Sequence, residues 1–117
     1  MEDNQMRVEY DKLDVQEDYR YTYNGELFTG TAFEEDEHGL AEVSFVNGVK
    51  EGISREYFPS GQLRLEKHLR RGGVTGWWRR WYENGQLEAE RLYDERHALI
   101  KERTWNSNGD LTMAGNE

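Results

Sequence analysis

The sequence predicts an all-β protein, an elongated antiparallel β-meander of about four repeated hairpins preceded by an N-terminal strand lead-in. Two interleaved series of glycine turns, and an alternation of side chains between them, carry this prediction. Both turn series recur at intervals of 22–24 residues. Two turns in each interval leave two segments of about seven residues, the usual length of a β-strand. Recurrence at a fixed interval indicates an array of similar supersecondary units.

The first turn series follows an aromatic residue and precedes a leucine. It comprises residues 57–63 (YFPSGQL), 81–87 (WYENGQL) and 104–111 (TWNSNGDL), whose glycines lie 24 residues apart. An earlier, decayed copy is found at residues 38–40 (HGL), with its glycine 22 residues before Gly61.

The second turn series lies between the copies of the first. It comprises residues 24–30 (NGELFTG), 47–52 (NGVKEG) and 72–76 (GGVTG). Asn-Gly pairs supply the positive φ angles that tight hairpin turns require. A fourth copy is due near Arg96, but residues 94–98 (DERHA) contain no glycine. We therefore predict one repeat domain over residues 1–117, with a lead-in at 1–23 and repeats at about 24–46, 47–70, 71–94 and 95–117.

Alternation within the segments predicts which side chains share a sheet face. Ile53, Tyr57, Trp77 and Trp81 occupy equivalent positions, and period-2 spacing sends them to one side, which we expect to be the core. Residues 88–103 contain no Gly or Pro and are rich in helix formers, so that segment read alone predicts a helix. The repeat register instead predicts strand–turn–strand there.

Composition restricts the function. The chain has 24 acidic and 15 basic residues and a net charge of −9, which repels nucleic acid and anionic lipid and attracts basic partners. It has no cysteine, which excludes disulfides and thiolate metal sites. The acidic start lacks an apolar stretch, so we expect no signal peptide, no transmembrane segment and a cytoplasmic location.

The turn units Tyr-x-x-Asn-Gly-Gln-Leu and Asn-Gly-x-x-x-Gly resemble the variant MORN repeats of the YwqK-like bacterial antitoxin and immunity proteins. The opening at residues 28–31 (FTGT) is also similar to the first repeat of such proteins. The similarity covers about residues 21–113 and is best in repeats two and three. The resemblance implies a MORN-type antiparallel sheet with one hairpin per repeat. It also implies that the chain binds and neutralises a cognate toxin.

Two groups of residues are candidates for partner binding. Glu34, Glu35, Asp36 and Glu37 form the densest acidic run. They are either an anionic patch for a basic partner or a solvated loop tip that keeps a sheet protein soluble.

The second group lies in the aromatic and basic run at residues 77–82 (WWRRWY). Trp78, Arg80 and Tyr82 fall opposite the expected core face and are residue types that dominate interface hot spots. The same run can indicate stacking on single-stranded nucleic acid, but the net charge opposes that function. The three histidines lack the spacing of a metal site.

We therefore expect an immunity protein or antitoxin that binds a cognate protein toxin with a basic surface and occludes it. The alternative is a generic MORN-type scaffold for protein interaction or membrane docking, although acidity disfavours a membrane. We expect no catalytic residues, no cofactor and no nucleic-acid partner. Open sheet edges permit strand-pairing dimers, so the oligomeric state is left open.

Overall fold

The computed structural model describes residues 6–116, which form twelve β-strands and a single 3₁₀ turn at Tyr10–Lys12. The strands are β1 (Met6–Glu9), β2 (Asp14–Val15), β3 (Tyr21–Tyr23), β4 (Glu26–Leu27), β5 (Gly30–Asp36), β6 (Gly39–Val46), β7 (Val49–Tyr57), β8 (Leu63–Arg70), β9 (Gly73–Trp81), β10 (Leu87–Tyr93), β11 (Leu99–Trp105) and β12 (Leu111–Asn116).

Nine strands form one sheet in the order β1-β5-β6-β7-β8-β9-β10-β11-β12. From β5 onward every strand pairs antiparallel with the next in sequence, so the predicted meander of repeated hairpins is confirmed. Residues 88–103 form β10 and β11 rather than a helix. Cross-strand pairing there overrides the helix propensity of the isolated segment.

The first strand departs from a pure antiparallel meander, because β1 pairs in parallel with β5. Parallel neighbours need a crossover connection, and residues 10–29 provide it. Those residues include the small antiparallel sheet β2-β3-β4. The pairing register joins Met6 to Gly30, an offset of 24 residues, which equals the repeat interval.

The hydrophobic core lies at this N-terminal end, beneath the lead-in. Phe28, Ala32 and Phe45 are at most 1% exposed. The Phe28 and Phe45 rings meet at 5.5 Å between centroids, and the Tyr21 and Phe45 rings at 5.0 Å, both in edge-to-face geometry. Further partly buried side chains complete the cluster: Val8, Tyr10, Leu13, Tyr21, Tyr23 and Val43.

The two faces of the large sheet differ in burial. The register places all of the sheet's buried non-glycine residues within the described chain on one face, here called the buried face: Ala32, Phe45, Ser54, Leu69, Trp78 and Ala89. The opposite face, here called the open face, carries half-buried aromatic rings: Phe33, Tyr57, Trp77, Trp81 and Trp105.

The predicted core face is therefore wrong. Ile53, Tyr57, Trp77 and Trp81 do share a face, but it is the open one, and Trp78 is the ring that is buried, at 8% exposure. Alternation predicts which residues share a side but not which side is covered. In each antiparallel pair from β6–β7 to β11–β12 the register shifts once, and such bulges bend strands and increase the twist.

The turn that lacks glycine is regular. The turns at 58–62, 82–86 and 106–110 share two backbone hydrogen bonds. The N–H of the first residue donates to the carbonyl oxygen of the fifth, and the N–H of the fourth donates to the carbonyl oxygen of the first. Residues 94–98 repeat this pattern, with His97 at φ 69° where the other turns place glycine. Asp94 Oδ1 accepts hydrogen bonds from the N–H groups of Arg96 and Ala98 at 2.8 and 3.0 Å. These backbone bonds, Ala98 first, lower the pKa of Asp94.

Candidate protein-binding surfaces

The predicted acidic run forms the end of the β5–β6 hairpin. Glu34, Glu35, Asp36 and Glu37 are all exposed. Asp36 Oδ1 accepts a hydrogen bond from the His38 N–H at 2.8 Å, which fixes the turn. Glu37 lies 3.7 Å from His38 Nε2, with both side chains more than three-quarters exposed. In the described part of the chain, no Lys or Arg pairs with any of these four carboxylates, so their charge faces solvent.

A shallow groove of about 390 Å³ runs between this hairpin and the β7–β8 hairpin. Leu40 and Tyr57 are cross-strand partners at its centre. We call it the acidic groove. Its apolar surface is supplied by Leu40, Tyr57, Phe58 and Pro59, and its carboxylates by Glu35, Asp36, Glu37 and Glu42.

Gly39 brings the two sides of the acidic groove into close contact. A Cβ atom at Gly39 would lie 1.9 Å from the carbonyl oxygen of Tyr57, so no other residue fits there without displacing the backbone. Its φ of 127° is also in a region that favours glycine. The acidic turn is therefore fixed against β7 by backbone packing.

A second feature recurs across the sheet, namely an arginine placed between an aromatic ring and a glutamate. The guanidinium carbon of Arg79 lies 4.5 Å from the Trp77 ring centroid, and its Nε lies 3.1 Å from Glu90 Oε2. Arg91 lies 4.3 Å from the Trp78 ring, and its Nε donates to Glu102 Oε2 at 2.7 Å.

Three more arginines have the same kind of surroundings. The ring and carboxylate partners are Phe33 and Glu42 for Arg7, Phe58 and Glu56 for Arg64, and Trp78 and Glu88 for Arg80. Cation–π contact and ion pairing act on the same guanidinium in each case.

The repeat register explains where these pairs fall. Arg55–Glu66 and Arg79–Glu90 are repeat-equivalent cross-strand pairs on the open face, with Nε–Oε2 distances of 2.7 and 3.1 Å. The hydrogen bond from Arg55 to Glu66 raises the pKa of Arg55. In the first repeat, Thr31 stands at the position equivalent to Arg55. The cation there comes from β1, because Arg7 pairs with Thr31 in the register and donates to Glu42.

The second predicted group is not an exposed cluster. Trp78 is buried between Arg80 and Arg91, so its assignment to the outward face is wrong. Arg80 is directed to Glu88, with Nη2 to Oε2 at 3.2 Å. The Tyr82 hydroxyl donates to the carbonyl oxygen of Trp105 at 2.7 Å. Partner contacts by Arg80 and Tyr82 stay predictions.

The sequence did not single out the apolar half of the acidic groove. Leu40 and Tyr57 are 17 positions apart, and only the β6–β7 register places them side by side. The one sequence signal was the Tyr57-Phe58-Pro59 run immediately before a glycine turn.

In residues 6–116, no group of three or more His, Asp or Glu side chains could hold a metal ion. No helix within this range has the length and apolar character needed to cross a membrane.

The fold and its turns define a repeat protein built from β-hairpins. Two of these hairpins match a known repeat. Residues 50–70 and 75–95 each match the model of the MORN repeat variant, and they correspond to most of β7–β8 and of β9–β10 with its following turn. These two hairpins are therefore similar to MORN repeats of the variant type, and such repeats support a role in protein interaction. No curated protein and no solved structure shows detectable similarity to the chain.

Proposed function

We propose that this protein is an immunity protein or antitoxin that binds a basic protein toxin in the cytoplasm and occludes its functional surface. The observation that carries the proposal is the exposed β5–β6 hairpin, whose four carboxylates pair with no Lys or Arg within residues 6–116. The resemblance of the turn motifs to antitoxin proteins supports the toxin as the partner. In this proposal the protein acts by binding alone and performs no catalysis.

Electrostatics supports fast recognition of a basic partner. A chain with net charge −9 attracts a cationic surface over a Debye length of about 10 Å at 0.1 M salt. Concentrating unpaired carboxylates on one hairpin orients that attraction, which raises association rates more than it raises affinity. The encounter should therefore begin at the acidic hairpin.

The sheet also offers enough surface for occlusion. A stable interface buries about 800 Å² on each partner. The described chain exposes 7703 Å² in total, so this is about a tenth of its surface. The open face carries half-buried aromatic rings, and aromatic residues dominate binding energy in interfaces.

Co-expression and co-purification test the partner. The tagged chain is purified from its native host and its bound proteins are identified, and each protein encoded next to it is tested for toxicity with and without the chain. Capture of an adjacent toxic protein, with survival restored, supports the proposal. Survival that is never restored contradicts it, and capture of a non-toxic protein supports the scaffold alternative.

Binding kinetics test the acidic hairpin. A variant with Glu34→Gln, Glu35→Gln, Asp36→Asn and Glu37→Gln is compared with one that neutralises four exposed carboxylates elsewhere: Glu17, Glu26, Glu83 and Asp110. Both variants lose four negative charges, so the difference between them reports position alone. We expect slower association and a weaker salt dependence for the hairpin variant. Equal association rates would remove this hairpin from the encounter surface.

A further inference from the structure

We propose that the acidic groove is a receptor for an arginine side chain on a basic segment of the partner. The groove has the two components that this chain itself places around arginine, an aromatic surface and carboxylates. Tyr57 of β7 and Glu35 of β5 are separated by one strand, as Trp78 of β9 and Glu102 of β11 are on either side of Arg91. This inference rests on the proposed function in one respect, that the partner is a protein with a basic surface.

The first step of the argument is the internal pattern. Five arginines of this chain, in positions from β1 to β10, each contact one aromatic ring and one glutamate: Arg7, Arg64, Arg79, Arg80 and Arg91. The ring-to-guanidinium distances lie between 4.3 and 5.3 Å. The local sheet geometry therefore brings rings and carboxylates to the spacing that a guanidinium bridges.

The second step is that one part of the acidic groove, formed by Tyr57, Glu35 and Asp36, has these components without a cation, whereas Glu42 is already paired with Arg7. In the described residues, no Lys or Arg lies over the Tyr57 ring or pairs with Glu35 or Asp36. Arg64 already occupies the far side of the groove, where its guanidinium carbon lies 5.2 Å from the Phe58 ring centroid. Its Nη1 donates to the carbonyl oxygen of His38 at 2.6 Å, which holds it in place.

The third step concerns the identity of the cation. A planar guanidinium stacks on a ring and can donate two parallel hydrogen bonds to a carboxylate, whereas an ammonium acts as a compact, strongly hydrated point charge. The groove presents the Tyr57 ring on β7 and Glu35 and Asp36 on β5, on either side of Leu40 of β6, so a guanidinium lying across Leu40 could reach both. It should therefore distinguish arginine from lysine. The volume of about 390 Å³ accommodates the whole side chain together with adjoining backbone.

Binding of nona-arginine and nona-lysine peptides to the full chain tests the inference without any toxin. The matched variants are Glu35→Gln with Asp36→Asn in the groove, and Glu83→Gln with Asp110→Asn at the two hairpin turns farther along the chain. Each variant loses two exposed carboxylates. A third variant, Tyr57→Leu, keeps an apolar side chain and removes the ring.

We expect nona-arginine to bind about fivefold more tightly than nona-lysine, the equivalent of about 1 kcal/mol for a cation–π contact. The groove variant should weaken nona-arginine binding about tenfold and the distant variant less than twofold. Tyr57→Leu should bring the two peptides to equal affinity. Amide shifts of Gly39, Leu40 and Tyr57 in the NMR spectrum should report nona-arginine binding to the wild-type chain.

Equal affinity for both peptides, or equal losses in the groove and distant variants, would overturn the inference. This result is separable from failure of the proposed function. If nona-arginine binds the groove but no adjacent toxin is captured, the groove inference stands and the immunity function falls. If a toxin is neutralised equally by the wild-type chain and the groove variant, the immunity function stands and the groove inference falls.

Discussion

The two ends of the large sheet are stabilised by different interactions. At the N-terminal end, the lead-in covers β5 and β6 and encloses Phe28, Ala32 and Phe45 in a second layer. Farther along, from β8 to β11, the sheet is a single layer. Among the described residues of these four strands, Trp78 is the only aromatic residue that is buried. There the rings are covered by arginines that are themselves paired with glutamates on the next strand.

This difference shows how a 24-residue hairpin repeat can be stable with little hydrophobic core. Each hairpin contacts mainly its neighbours, as in other repeat proteins, so stability is close to a sum of local terms. The apolar stems of Arg79, Arg80 and Arg91 shield the tryptophan rings while their charged ends remain partly hydrated. The lead-in packs against the first repeat and forms with it the hydrophobic core that the later repeats lack.

The largest expected effect is at the N-terminal end of the sheet, which the lead-in covers; we call it the capped end. Phe45 is 1% exposed and packs against Phe28, Tyr10 and Tyr21. Phe45→Ala should lower the free energy of unfolding by about 3–5 kcal/mol, through lost burial and a residual cavity. Denaturant unfolding followed by circular dichroism measures this loss. A loss below that of Trp78→Ala would show that the capped end is not the main source of stability.

The second effect compares two tryptophans on opposite faces of β9. Trp78→Ala should cost about 3 kcal/mol because the ring is buried between two arginines. Trp81→Ala should cost only about 1–2 kcal/mol, since its half-buried ring removes less area from water on folding. Denaturant midpoints of the two variants provide the test. The reverse order would restore the face of Trp81 as the core face.

The sequence predicted the meander because glycine turns and strand length are local properties. It also predicted glycine turns with positive φ angles, although at residues 94–98 the side chain of Asp94 and the left-handed backbone of His97 replace the expected glycines. It could not predict the parallel pairing of β1. That pairing depends on where a 20-residue crossover packs, which is a tertiary property.

The candidate sites were predicted unevenly for a related reason. A run of four carboxylates is visible in one dimension, and the structure places it on an exposed hairpin. The predicted outward facing of Trp78 was wrong because aromatic residues occupy both faces of β9, so alternation alone does not identify the buried one. Only the cross-strand contacts of Arg80 and Arg91 show which ring is covered. The acidic groove could not be predicted, because it depends on the pairing register between β6 and β7, which belong to different hairpins.

A smaller effect tests whether ion pairs hold the single-layer end. Two repeat-equivalent cross-strand pairs have opposite polarity: Glu56–Arg64 in one hairpin and Arg80–Glu88 in the next. We expect Arg80→Glu or Glu88→Arg alone to cost about 0.5–1 kcal/mol, and the double variant to recover about 0.5 kcal/mol, as for partly exposed pairs.

Denaturant unfolding of the four proteins in this cycle, at low and high salt, gives the coupling energy. The coupling should shrink at high salt because these side chains are 41% and 31% exposed. Additive effects of the two substitutions would mean that the pair contributes nothing and that the arginine acts through Trp78 alone.

The smallest expected effect concerns a turn residue in the left-handed conformation, compared between two equivalent turns. The turn at Gly48 is held by hydrogen bonds with Tyr21 of the lead-in and with Phe28. The equivalent turn at Arg71 is held by hydrogen bonds from the Gly72 N–H to the carbonyl oxygen of Lys50 and from the Arg71 N–H to Glu51. Arg71 has φ 55° where the other two such turns use asparagine. Asparagine tolerates this left-handed region better than other residues with a side chain.

Arg71→Asn should therefore raise the free energy of unfolding by about 0.5 kcal/mol, a part of the usual cost of the left-handed conformation. The matched control is Arg70→Asn, which removes the same charge from an exposed neighbour in β8 that is not among the positive-φ residues. The control should leave the denaturation midpoint unchanged or lower it. If both variants raise the midpoint equally, the gain comes from relief of local positive charge. In that case the left-handed backbone at position 71 has no cost in this turn, and arginine is tolerated there as well as asparagine is in the equivalent turns.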